Sequence, residues 1–67
     1  MKLICKLEVE SGNDAFSENP HQAMLDILDQ IQEKLESEFH SNAVNMKVRD
    51  ENGNGVGYFN FNVYDSI

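Results

Sequence analysis

The stretch NPHQAMLDILDQIQEKLESEF, residues 19–39, decides the fold. Met24, Ile27, Leu28, Ile31, Leu35 and Phe39 recur in it at steps of three and four, which places them on one stripe of a helix. Asn19 stands where an N-cap accepts from the first turn. Pro20 suits the first helical position, where its missing N–H would have had no partner. Gln22 occupies the position from which a capping-box side chain reaches back. The spacing predicts a helix over 20–39, about 30 Å long at 1.5 Å per residue, leaving through His40-Ser41-Asn42. A single apolar stripe needs an apolar surface to cover it, and the flanking segments supply one.

Before the helix, Leu3, Cys5, Leu7 and Val9 alternate with Lys2, Ile4, Lys6, Glu8 and Glu10, a period of two that predicts a half-buried strand over 2–10. The turn formers Ser11-Gly12-Asn13-Asp14 end it. After the helix, Val44, Met46 and Val48 alternate with Asn45, Lys47 and Arg49 (strand 43–50). Phe59, Phe61 and Val63 alternate with Tyr58, Asn60, Asn62 and Tyr64 (strand 56–64). A turn at Gly53-Asn54 pairs Val48 with Phe59, Met46 with Phe61 and Val44 with Val63. Asn52-Gly53 or Asn54-Gly55 as the central pair keeps the same faces inward, so the hairpin is set while its register stays open.

The order β-α-β-β defines an α+β chain: a three-stranded, mainly antiparallel sheet with one helix on one face, in a single small domain spanning 1–67. The expected inner face carries Leu3, Cys5, Leu7, Val9, Val44, Met46, Val48, Phe59, Phe61 and Val63. Two strand orders satisfy the connections: a parallel crossover beside the first strand, or insertion of the last strand between the other two. The second is preferred, because the last strand is the most aromatic.

Composition bounds the function. Sixty-seven residues carry twelve Asp+Glu and five Lys+Arg, a net charge of −7. A chain this short buries only roughly 60% of its unfolded surface, so its fold gains from a partner. No apolar run reaches the ~18–20 residues of a membrane span, and the alternating N-terminus does not read as a signal peptide. One cysteine excludes an intrachain disulfide, which points to the cytoplasm. Net negative charge disfavours bulk nucleic acid and anionic membranes.

The charges divide by surface. Asp26, Asp29, Glu33 and Glu36 recur at steps of three and four opposite the apolar stripe, with Asp50 and Glu51 at the hairpin tip as an extension. Such a row is either a plain solvated face or a contact surface that occupies a basic, nucleic-acid-binding site on a partner protein. Lys2, Lys6, Lys47 and Arg49 project from the open sheet face with Ile4, Tyr58, Asn60, Asn62 and Tyr64, and Glu8 and Glu10 stand at one end of it. Lys6, Lys47, Arg49, Tyr58, Asn60 and Tyr64 there form the alternative interface, for a homodimer or for single-stranded nucleic acid; a homodimer through this face or an edge strand is expected.

Catalytic, cofactor and metal residues are not expected. Cys5 reads as an inward, inert small hydrophobe. His21 and His40 lie about 28 Å apart along the helix and cannot share a metal. Asp50-Glu51-Asn52-Gly53-Asn54-Gly55 matches the first half of a calcium loop, but its twelfth position is Phe61 and no helices flank it, so it reads as a hairpin turn. In size, acidity and lack of a catalytic set, the chain resembles the small accessory and inhibitor proteins of phages and mobile elements. That resemblance implies a non-enzymatic inhibitor working in a host cytoplasm.

Overall fold

A computed structural model describes residues 1–10 and 14–65. Strand β1 (Lys2–Val9) leads to a short helix α1 (Asp14–Glu18) and the main helix α2 (Pro20–Ser37). Strands β2 (Ala43–Arg49) and β3 (Gly55–Tyr64) close the chain. The sheet is antiparallel throughout, in the order β1-β3-β2, so the fold is α+β with the aromatic last strand in the centre.

Helix α2 starts as its sequence dictates. The Gln22 N–H donates to Asn19 Oδ1 at 3.2 Å, with Pro20 in the first turn. The Gln22 side chain does not reach back to Asn19. Its amide donates forward to Asp26 at 3.0 Å, along the exposed helix surface. The helix stops at Ser37, two residues short of expectation. The Ser37 hydroxyl donates to the Lys34 carbonyl at 2.9 Å and the Glu38 N–H donates to the same carbonyl at 3.1 Å. Phe39 therefore leaves the stripe and stands 77% exposed, edge-on to His40. Helix α1 was not foreseen; its Phe16 packs against the core. The expected turn residues 11–13 lie outside the described residues, and Asp14 begins α1.

The hairpin takes the register of the Asn52-Gly53 alternative, pairing Val48 with Gly57, Met46 with Phe59 and Val44 with Phe61. The tip is wider than a two-residue turn. Asp50 Oδ1 accepts from the N–H groups of Asn52 and Asn54, each at 2.9 Å, and the Asp50 N–H donates to the Asn54 carbonyl at 2.9 Å. Gly53 supplies the one left-handed residue of the tip at φ +85°. The pairing slips between Val48 and Arg49, whose partners are Gly57 and Gly55, so Val56 is an extra, bulged residue. The bulge turns Val56 into the core, where it is buried. Gly57 must be glycine: a Cβ there would overlap the Glu8 carbonyl oxygen and come within 2.9 Å of Val9 Cα.

The core is off-centre. Ile27, Ile31, Val44, Val48, Val56 and Phe59 are buried, all on α2 or the β2–β3 half of the sheet. Leu3, Cys5 and Leu7, expected to be covered by the helix, are exposed on β1. Two causes combine. A helix is about 10 Å across, whereas three strands spaced ~4.8 Å apart make a wider surface. In addition, Gln30 ties α2 to the β2 edge: its amide donates to the Arg49 carbonyl at 2.7 Å, and its carbonyl accepts the Arg49 N–H at 3.0 Å. The helix covers β2 and β3 and leaves Leu3, Cys5 and Leu7 of β1 bare, while Val9 at the end of that strand packs against the core.

Candidate functional site

The acidic surface begins on the exposed side of α2. Asp29 and Glu33 have no hydrogen-bond or ion-pair partner among the described residues. Asp26 accepts from Gln22, and Glu36 accepts from Gln32 Nε2 at 3.1 Å. Lys34, the one base on the helix, pairs with Glu38 at 2.9 Å and so neutralises none of the row. Glu33 borders an open depression that Lys34, Lys47 and Arg49 also line, without an ion pair to any of them, and the rest of the row is offset only by neutral amides.

The hairpin tip continues this surface. Asp26, Asp50 and Glu51 line one cleft of ≈ 220 Å³ together with Glu18, at the junction of α1 and α2. The structure thus brings together three acids expected to cooperate and adds Glu18 from α1, a five-residue helix too short to show a periodic signal in the sequence. Asp50 differs from the others in being committed to the turn. Its Oδ1 holds two backbone N–H groups and its Oδ2 accepts from Asn54 Nδ2 at 3.4 Å. It shapes the tip that presents Glu51, which is exposed. Those same bonds give the half calcium motif its structural purpose as a turn.

The opposite face is less uniform than its composition suggests. Glu8, Tyr58 and Lys47 form one cross-strand row, and Lys6, Asn60 and Asn45 the next. Arg49 is drawn to the tip, where its guanidinium donates to the Gly53 carbonyl at 3.0 Å. Tyr58 and Tyr64 are both more than half exposed, but at ~3.4 Å per residue they stand about 20 Å apart on β3. Bases on adjacent nucleotides could not stack on both. Glu8 and Glu10 border the shallow depression beside Tyr58 and Lys47, which lowers the positive charge there.

Cys5, His21 and His40 are exposed and distant in the chain. Among the described residues no group of three or more His, Cys, Asp or Glu side chains is placed to hold a metal ion. No helix among them is long and apolar enough to cross a membrane. Compared with protein-family models, curated proteins and solved structures, the chain matches none.

Proposed function

We propose that this is a small, non-enzymatic protein-binding protein that occupies a basic, nucleic-acid-binding site on a partner, acting as an inhibitor in the cytoplasm. The observation that carries the reading is the carboxylate surface, without ion pairs among the described residues, that runs from Glu36, Glu33 and Asp29 through Asp26 to Glu51. Like charges at helical spacing cost roughly 0.2–0.5 kcal/mol per pair, and the nearest base is directed elsewhere. Regularly spaced carboxylates on a rigid rod present a basic groove with the charge pattern of a phosphate backbone and steer encounter at long range. An exposed free thiol at Cys5 agrees with a reducing compartment. The sheet face supports the nucleic-acid-binding alternative less well, since its tyrosines are far apart and Arg49 is bound to the hairpin tip.

The test compares capture from a host lysate by the wild-type chain and by the triple variant Asp26→Lys, Asp29→Lys, Glu33→Lys. A captured protein that binds duplex DNA, is displaced by added DNA and by salt, and is lost with the triple variant supports the reading. Capture that survives both charge reversal and high salt removes the carboxylate surface as the contact.

A further inference from the structure

We propose that the chain forms a two-fold dimer in which β1 pairs antiparallel with β1 of a second copy, Cys5 opposite Cys5, making one continuous six-stranded sheet. Three features of the bare side of the molecule carry this.

The first is the backbone. The Glu10 N–H donates to the Val56 carbonyl at 2.8 Å. Antiparallel ladders alternate, so Glu8, Lys6 and Ile4 also turn their polar groups toward β3, while Leu3, Cys5, Leu7 and Val9 direct theirs to the open edge. Among the described residues nothing meets them. On the other edge of the sheet Gln30 takes the outward N–H and carbonyl of Arg49 alone, while Ala43, Asn45 and Lys47 turn theirs outward as β1 does. Both edges are templates for pairing, and what singles out β1 is the apolar surface beside it.

The second is the apolar surface beside that edge. Leu3 is 55% and Leu7 37% exposed, on the face that carries the helix. Leu28 lies about 200° around α2 from Gln30, so it sits on the flank away from β2, and it is 49% exposed. A two-fold axis normal to the sheet keeps both helices on the same side and brings these bare strips together.

The third is register. With outward groups on odd positions, the two-fold pairing can centre on Ile4, Cys5 or Lys6. Centring on Lys6 sets Lys6 against Lys6, and centring on Ile4 sets Lys2 against Lys6. Centring on Cys5 sets Leu3 against Leu7 on the helix side, twice, and Lys2 against Glu8 on the open side, twice. Only this register is complementary in both charge and shape, with about six hydrogen bonds across the seam. A second copy is therefore the occupant that the strand itself specifies.

Sedimentation equilibrium of the full chain from micromolar to millimolar concentration tests the proposal, with folding monitored by circular dichroism. The wild type is expected to dimerise. Glu8→Lys turns two attractions into two repulsions and is expected to weaken the dimer on the order of tenfold, and Lys2→Glu added to Glu8→Lys restores it. Cys5→Pro deletes only an outward N–H and is expected to abolish the dimer while the strand stays folded. Should the proline variant unfold, the charge swap alone decides. A monomer at every concentration, or a dimer indifferent to Glu8→Lys, overturns the proposal, as does a folded proline variant that still dimerises.

Discussion

Replacing Gln30 by alanine isolates the interaction that sets the helix over β2. The side chain makes two hydrogen bonds to one residue's backbone, at 2.7 and 3.0 Å, across nineteen positions of sequence. A protein hydrogen bond contributes a net ~0.5–1.5 kcal/mol, and this pair lies at the sheet edge where water can compete, so each belongs near the low end. Alanine recovers a few tenths of a kcal/mol in helix propensity. The expected loss is about 1 kcal/mol, which for a domain of this size lowers the melting temperature by roughly 4–8 °C. Gln32→Ala is the control, because Gln32 bonds only Glu36 on the same exposed helix at 3.1 Å, and it should change stability by less than ~0.5 kcal/mol. Thermal melts at one fixed protein concentration compare the two. Equal melting temperatures for the Gln30 and Gln32 variants would refute the claim that Gln30 anchors the helix. A second consequence follows from the freed edge: Gln30→Ala exposes the Arg49 N–H and carbonyl, and light scattering should show more concentration-dependent association than the control.

Other substitutions probe single physical causes. Gly57→Ala forces β1 from β3 at the Glu8 carbonyl and should cost at least ~1–3 kcal/mol, seen as a lost or strongly lowered cooperative melt. Gly53→Ala, in a left-handed position with open space around it, should cost about 1–2 kcal/mol from backbone strain alone, whereas Gly53→Asn is nearly tolerated. Asn19→Ala removes the cap of α2 and is expected to lower stability by about 0.5–2 kcal/mol in urea unfolding. Ile27→Ala empties the centre of the core at about 2–5 kcal/mol, a large share of what a chain this short holds, and should leave it substantially unfolded.

Periodicity made the element order and the inward faces of β2 and β3 legible, because each rests on alternation or helical spacing within one segment, while the central place of the last strand followed from its aromatic content. What escaped it was non-local. Val56 alternates as an outward residue, and only the bulge at Arg49 turns it into the core. The flanking glycines in Gly55-Val56-Gly57 were the available signal. Leu3, Cys5 and Leu7 alternate correctly, yet alternation says which face a side chain takes and not whether a helix lies over it. The position of α2 depends on Gln30, an amide whose partner cannot be read from a helical wheel. Phe39 fitted the stripe by spacing, but Ser37 and Glu38 turn the backbone out of the helix before it. Of the candidate site, the acidic row was visible in full as a helical repeat. The place of Glu51 and Glu18 beside Asp26 required the hairpin tip and α1 to be set against the start of α2.

The off-centre helix also explains why this chain offers two surfaces. A helix centred over three strands would have covered Leu3 and Leu7 evenly and closed the inner face. Held to the β2 edge, α2 exposes one apolar strip along β1, while its carboxylates point away from the sheet, opposite Ile27 and Ile31. The row lies above the sheet and the strip beside it, so a second copy docked along β1 leaves both acidic rows open. The dimer would then present two copies of the row on one side of a single rigid sheet, which a partner with two basic sites, or one extended basic groove, engages more tightly than either row alone. Weakening the dimer through Glu8→Lys should accordingly lower apparent affinity for such a partner while the affinity per row stays the same.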